Sequence, residues 1–311
     1  MRPLNIEEFY EYASIVAERL RCDQHTVEVG RNAGETPFRQ ADDIETWLKY
    51  LDEHLLDVLM RHENTADLES IRPFVSVLRP VDSIVSFNYD RLVERCLGDE
   101  QQWSFGIDPD LIGLPVLKLH GSFDWVCFAR DQPPRTSHFR RLFSKRDVNG
   151  EQNGNAQARS GEREYDFELW QVSDPQTLRG LIENRATIQL DHYWGLAGLG
   201  PKKRVSNVPG LGFVWKRARH ELFQADHIVI VGFSFSGHDR FVQIEFARVM
   251  AGRHAARRPN PRITVIDPSL ARRRCRLTRE GRELVKRIES VFRPIEPVGV
   301  PHQAFNWVGL G

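Results

Sequence analysis

Residues 227–239, HIVIVGFSFSGHD, decide the fold class. The first seven are apolar nearly throughout, which predicts a central parallel strand covered on both faces. The glycine and serines that follow predict a tight turn, and a helix is expected over about His238–Arg253. A strand that runs through such a turn into a helix is typical of a parallel sheet with crossover helices.

Three further short strands are predicted, and each of them ends in polar residues. They are 83–87, followed by Asn88-Tyr89-Asp90; 116–119, followed by His120-Gly121-Ser122; and 262–266, followed by Asp267. Ligands of open parallel sheets bind beyond the carboxyl ends of the strands. We therefore expect these three strand ends and the turn at 232–239 to converge on one crevice.

The whole chain is predicted to be α/β, with three regions. Residues 1–80 form a helical N-terminal part, and residues 81–127 and 181–311 form a Rossmann-like parallel sheet with flanking helices. Residues 128–180 form a polar insertion that is partly disordered. The run 146–164 has no large apolar residue apart from Val148, so it cannot bury enough apolar surface to offset its ordering entropy.

Composition excludes several classes of protein. The 311 residues include 43 Lys and Arg and 43 Asp and Glu, so the net charge of zero gives no support for a nucleic-acid or membrane partner. No apolar stretch approaches the roughly 20 residues that span a bilayer. The four cysteines form no CxxC pair, which predicts a reduced, cytoplasmic protein without a metal site. The basic run 272–286 is interspersed with acidic residues, which favours a solvated helix face over a nucleic-acid site.

The first two strand ends carry candidate catalytic residues. Asn88 can position a water or an amide, and Asp90 can hold a polar ligand group; alternatively, both serve to cap the helix that begins near Arg91. His120 can act as a general base near neutral pH, or it is a loop histidine bonded to backbone.

The other two strand ends carry candidate binding residues. Gly232, Ser234, Ser236 and Asp239 line a turn whose N–H groups and hydroxyls can face a phosphate, or the segment is an ordinary turn capped by Asp239. Asp267 can accept hydrogen bonds from a ribose, or it belongs to an Asp-Pro turn. The chain contains neither GxGxxG nor GxxxxGK[ST], which disfavours a nicotinamide dehydrogenase and a P-loop NTPase. A hydrolase with Ser234 as nucleophile has only weak support.

The ordered set SFNYD, KLHGS, IVIVGFSFSGHD and ITVIDP resembles the sirtuin-like NAD-hydrolase domains of bacterial antiphage defence proteins. The resemblance covers about 42–127 and 181–270. It implies a sirtuin-like fold, NAD as the substrate and cleavage of the nicotinamide–ribose bond. It also implies that the catalytic residues are Asn88, Asp90 and His120, and that the NAD-binding residues are Gly232, Ser234, Ser236, Asp239 and Asp267. Because paired cysteines are absent, the chain resembles the zinc-free branch of sirtuins.

One departure from the family leaves a second function open. The family begins with a strand and a Gly-Ala-Gly-x-Ser loop that cradles the NAD pyrophosphate, and nothing similar precedes Asp42. Either the start lies upstream of Met1, or the domain is degenerate and binds NAD or ADP-ribose as a scaffold or sensor. A homo-oligomer or a defence-system partner protein is expected, and a nucleic-acid partner on the 272–286 face is a weaker third reading.

Overall fold

The computed structural model divides the chain into two compact units. The first comprises Met1–Thr65, Asn88–Asp90 and His120–Gly210, and the second comprises Ala66–Phe87, Arg91–Leu119 and Leu211–Gly311. The structure describes residues 54, 56–98, 103–107, 113–131, 133–144, 167–183, 192–196, 208–233, 235, 239–270, 272–273, 276–292 and 296–298. Helices α1–α7 and strands β1–β12 are numbered along the whole chain.

The first unit is built on an antiparallel sheet. Its elements are helix α1 (described over 56–65), β4 (Gly121–Ala129), β5 (Phe139–Phe143), β6 (Phe167–Val172), helix α4 (Pro175–Glu183) and β7 (His192–Leu196). The strands pair in the order β5-β6-β4-β7. Strand β4 is buried from Gly121 to Phe128, because β6 and β7 flank it and apolar side chains of α1 and α4 pack against it.

The insertion predicted at 128–180 contributes two strands and part of a helix to this unit. Phe143 and Leu169 are buried, which confirms that the apolar flanks of the insertion dock on the body of the protein. The predicted disorder of its middle concerns 146–164, which lies outside the described residues. Along the sequence, this polar segment lies between β5 and β6, and those two strands pair with each other.

The second unit contains two small parallel sheets and their crossover helices. Its elements are a 3₁₀ turn (Leu68–Ser70), α2 (Arg72–Val75), β1 (Ile84–Ser86), α3 (Leu92–Leu97), β2 (Trp103–Ser104), β3 (Leu114–Lys118), α5 (Leu211–Gln224), β8 (His227–Val231), α6 (Arg240–Ala255), β9 (Arg262–Ile266), a 3₁₀ turn (Pro268–Leu270), β10 (Arg272–Arg273), β11 (Arg276–Leu277), α7 (Arg279–Glu289) and β12 (Glu296–Val298). The parallel sheets have the orders β1-β3-β2 and β12-β9-β8, and β10 and β11 form an antiparallel pair.

The prediction that 227–233 is a central strand covered on both faces is wrong. Strand β8 ends at Val231 and lies at an edge of its described sheet, where the Val231 side chain is 37% exposed. The central strand is β9, which has parallel neighbours on both sides and is buried from Ile263 to Ile266. An apolar run shows that a strand is at least half-buried, but it does not show which strand has two neighbours.

The carboxyl ends of four parallel strands meet within the second unit. The Leu119 N–H, just after β3, donates to the Ser86 carbonyl at the end of β1 (3.0 Å). Phe87, after β1, stacks on Phe233, after β8, with ring centroids 4.0 Å apart. The Gly232 N–H, just after β8, donates to the Ile266 carbonyl at the end of β9 (3.1 Å). The architecture is therefore mixed α/β with small parallel sheets, and a single Rossmann-like sheet stays a prediction.

The two units divide the chain differently from the predicted domains. Residues 120–127 and 181–210, predicted to belong to the Rossmann-like part, lie in the first unit with the antiparallel sheet. The physical reason is that β4 pairs with β6 and β7. These pairings join residues far apart in sequence, and no local pattern specifies them.

Candidate active site

The segment 88–90 is held against the start of β4. The Tyr89 carbonyl accepts hydrogen bonds from the Phe123 backbone N–H (3.0 Å) and from the Ser122 hydroxyl (3.3 Å). The Tyr89 ring lies 5.9 Å from the His120 ring, centroid to centroid. We call these three contacts the Tyr89 clamp. The clamp brings the Asn88-Tyr89-Asp90 segment next to the His120-Gly121-Ser122 segment. From the sequence alone, this proximity could be predicted only by assuming a strand order.

The His-Gly dipeptide occupies the connection between β3 and β4. Gly121 has φ +82°, in the left-handed region that glycine adopts without a Cβ clash. Just before it, the Trp215 indole N–H donates to the Leu119 carbonyl (2.9 Å), which fixes the end of β3. His120 itself is only 4% exposed. Such burial fits a core histidine, and it also fits a base that acts in a water-excluded site.

Asn88 and Asp90 lie just before α3 but outside its cap. The N-cap residue of that helix is Arg91, so neither of the two predicted residues occupies the capping position. Asn88 is exposed and Asp90 is half-buried, in contrast to His120. Their side chains are therefore accessible to a ligand at the carboxyl end of β1.

Sequence reasoning missed a buried polar pair beside the clamp. The Gln171 side-chain amide on β6 donates to the Asp124 carboxylate on β4 (2.9 Å), and both residues are buried. The signal was available in HGSFD, where polar residues alternate along the strand at positions 120, 122 and 124. Polar residues at alternate positions of a strand indicate one polar face.

In the second unit, Gly232 and Asp267 follow neighbouring parallel strands. The Gly232 N–H donates to the Ile266 carbonyl (3.1 Å), so the chain after β8 stays bonded to the end of β9. Gly232 has φ +61° and is exposed, and no described atom lies within 4 Å of a Cβ built on it. A ligand can therefore approach this backbone closely.

Asp267 takes part in the turn that follows β9. Its carboxylate accepts the Ser269 N–H (2.8 Å) and its carbonyl accepts the Leu270 N–H (3.1 Å). These bonds are those of the Asp-Pro turn weighed in the sequence analysis. They orient the carboxylate at the end of a parallel strand, where ligands of this fold class bind.

The turn between β8 and α6 is only partly described. Asp239 occupies the N-cap position of α6, but among the described residues its side chain makes no capping hydrogen bond, so the capping alternative is met in position only. Phe235 is buried with φ +47°, an uncommon backbone conformation for a bulky side chain. Ser234 and Ser236 lie outside the described residues, so their predicted contacts with phosphate remain predictions.

The structure thus groups the predicted residues into two sets. Asn88, Asp90 and His120 lie together in the first unit, and Gly232 and Asp267 lie together in the second. That the candidate residues after these strands line one crevice stays a prediction. Within the described ranges, no group of three or more His, Cys, Asp or Glu side chains is arranged to hold a metal ion. No helix among the described residues has the length and apolar character needed to cross a membrane.

A cavity of about 310 Å³ lies elsewhere in the second unit. Its lining includes Met250 and His254 of α6, Ile263 of β9 and Phe292 beyond α7. It opens at the amino end of β9, whereas Gly232 and Asp267 lie at the carboxyl ends of the strands. It is therefore separate from Gly232 and Asp267.

Comparison of the chain with protein-family models, with curated proteins and with solved structures finds no match. The assignment of chemistry therefore depends on the residues themselves and on the resemblance of their motifs.

Proposed function

We propose that the chain is a sirtuin-like NAD hydrolase that cleaves the bond between nicotinamide and ribose. The observation that carries the proposal is the Tyr89 clamp, which holds the residue between Asn88 and Asp90 against Ser122, Phe123 and the His120 ring. The same residues form the Asn-x-Asp and His-Gly motifs on which the resemblance depends. A clamp that joins these motifs is expected if they share a substrate.

The proposed reaction consumes one water molecule. Water attacks the anomeric carbon of the nicotinamide ribose through an oxocarbenium-like transition state, and the electron pair of the broken C–N bond passes to the nicotinamide nitrogen. The products are nicotinamide, ADP-ribose and one proton. Asn88 orients the water or the carboxamide, His120 takes the proton from the water or a ribose hydroxyl, and Asp90 holds the nicotinamide ribose.

The second set of residues is proposed to bind the rest of NAD. Gly232, Ser234 and Ser236 face the phosphates or a ribose, next to the α6 N-terminus where Asp239 stands, and Asp267 accepts from the adenosine ribose. The exposed backbone at Gly232 and the oriented Asp267 carboxylate support this role.

The resemblance also suggests a biological setting. Cleavage of NAD would deplete the cell of the cofactor during phage infection, as in abortive-infection defence. A second copy of the chain or another defence protein would control the activity in the cytoplasm. Infection of cells that express the chain tests this setting: NAD must fall after infection, and it must not fall in cells that express His120→Ala.

The burial of His120 favours a second candidate, a module that binds NAD or ADP-ribose without cleaving it. An imidazole that is 4% exposed is shielded from solvent water, and a core histidine needs no catalytic role. This candidate predicts that NAD raises the melting temperature of the protein and is not consumed.

The experiment that separates the candidates is nicotinamide release from NAD by the purified chain. The enzyme proposal expects release by the wild-type chain, and a loss of about 10²–10⁴-fold in His120→Ala. The matched control is His254→Ala, which alters an exposed histidine in the last turn of α6 and is expected to leave release unchanged. Binding of NAD without release would establish the second candidate instead.

A further inference from the structure

A buried ion pair links the two elements that adjoin the catalytic motifs. The Lys118 Nζ lies 2.9 Å from the Glu94 Oε1, and the side chains are 0% and 5% exposed. Lys118 is the last residue of β3, and Glu94 lies in the first turn of α3. Both partners belong to the second unit, so the pair joins a strand to a helix within one compact body.

Stability alone does not account for this pair. Removing two charges from water costs several kcal/mol per ion in real proteins, and the attraction between them repays that cost only in part. Well-packed apolar side chains of similar size would often hold a strand and a helix together as firmly. A buried pair at this position therefore points to a role in geometry.

The position of the pair in the chain indicates what it orders. Glu94 follows Asp90 by four residues, and Lys118 precedes His120 by two. A second contact lies before both motifs in the sequence: the Leu119 N–H donates to the Ser86 carbonyl (3.0 Å). The chain is thus fixed immediately before the segment 88–90, again in the helix that follows it, and just before His120.

We propose that Lys118 and Glu94 are positioning residues that set the Tyr89 clamp, and through it the placement of Asn88 beside His120. An effect of these two residues on catalysis rests on the proposed function, whereas their effect on the clamp does not. The ion pair limits how far the strand and the helix can shift, since the ammonium and the carboxylate must stay close together to offset their burial. Apolar replacements would keep the elements packed but would let them slide against each other.

The test compares three variants. Lys118→Met/Glu94→Leu replaces the pair by apolar side chains, and Glu94→Gln removes only the negative charge. Glu245→Gln is the matched control, because Glu245 is also 5% exposed and forms an ion pair with Arg219 (2.9 Å) between α5 and α6, outside the motifs. Melting temperatures first identify which variants fold.

The decisive readout is amide hydrogen exchange of Phe123, whose N–H donates to Tyr89 in the clamp. We expect Phe123 to exchange at least about tenfold faster in the double variant and in Glu94→Gln, with the amides of residues 126–128 unchanged. In Glu245→Gln, Phe123 exchange should equal that of the wild type. Where NAD is cleaved, kcat should fall in the two pair variants while KM is retained.

Two results would overturn the proposal. One is unchanged Phe123 exchange in a folded double variant or in folded Glu94→Gln. The other is global unfolding of both variants, which would make the pair a stability element only. Exchange is measured without NAD, so a wild-type chain that fails to cleave NAD would remove the proposed function and leave the positioning role standing.

Discussion

The two sets of predicted residues differ in how the fold holds them. His120 and the start of β4 are buried, and two hydrogen bonds of the Tyr89 clamp hold the segment 88–90 against the start of β4. Gly232 is exposed and Asp267 is half-buried, and the groups that orient them belong to the main chain of their own turn and of the neighbouring strand. A rigid, buried region suits chemistry that requires exact placement, whereas an open turn suits binding.

The largest expected effect comes from removing the core side chain beneath the clamp. Phe123 is 1% exposed within the apolar cluster of the first unit, so Phe123→Ala should lower the free energy of unfolding by about 3–5 kcal/mol. Phe233→Ala removes a half-buried stacked ring next to Gly232, and it should lower the free energy of unfolding by only about 1–2 kcal/mol. Urea unfolding of both variants measures the difference. Equal losses would contradict the contrast in burial.

A smaller effect is expected from the buried polar pair beside the clamp. Gln171→Leu removes a donor from the buried Asp124 carboxylate, and about 1–3 kcal/mol of unfolding free energy should be lost. The counterpart near the second set is Gln243→Leu, which removes a half-buried donor whose acceptor is the neutral Phe235 carbonyl (2.8 Å). There the loss should be about 1 kcal/mol or less. A larger loss in Gln243→Leu would reverse the contrast.

The smallest effect concerns the pH dependence of two helix caps. Hydrogen bonds from the Thr177 hydroxyl (2.6 Å) and backbone N–H (2.7 Å) hold the pKa of Asp174, before α4, below its ordinary value. Because the pKa is lower in the folded state, the cap stabilises the protein above the unfolded pKa and loses that effect as the pH falls through the folded pKa. In α7 the cap is the neutral Thr278, whose hydroxyl oxygen accepts from the Gly281 N–H (3.0 Å).

Melting temperatures between pH 7 and pH 3 test the two caps. Asp174→Asn keeps an acceptor but no longer titrates, so the difference from the wild type should shrink in acid. Thr278→Ala should cost about 1 kcal/mol at every pH in that range. A pH-dependent loss in Thr278→Ala, or a constant one in Asp174→Asn, would contradict the assignment.

Sequence patterns predicted the parallel part of the fold where the signal is local. The strand at 262–266 is found as predicted, and the helix expected at about 238–253 is observed at Arg240–Ala255. Each element is specified by its own apolar residues and by the turns that flank it. Which of β8 and β9 is the central strand was not predictable in this way, because that depends on which strands flank each of them.

The antiparallel sheet could not be derived from the sequence, for a physical reason. Strand β4 is buried on nearly every residue, and only its start alternates polar and apolar residues, because residues 125–128 are all apolar. Its partners β6 and β7 follow the polar segment 146–164 in the sequence, so no local pattern indicates that they pair with β4. The candidate residues Asn88 and His120 were recognisable because each follows a short apolar strand, whereas the charged Lys118 within VLKLH was a signal of a buried partner that was overlooked.

The central proposal is that Asn88, Asp90 and His120 perform the chemistry and that Gly232 and Asp267 bind NAD. Steady-state kinetics of NAD cleavage by Asn88→Ala and Asp267→Ala tests it most directly. The account predicts that Asn88→Ala lowers kcat by about 10²-fold or more with little change in KM. It predicts that Asp267→Ala raises KM by about 10–100-fold with kcat nearly retained. Absence of nicotinamide release by the wild-type chain, or the same change in kcat for both variants, would contradict the account.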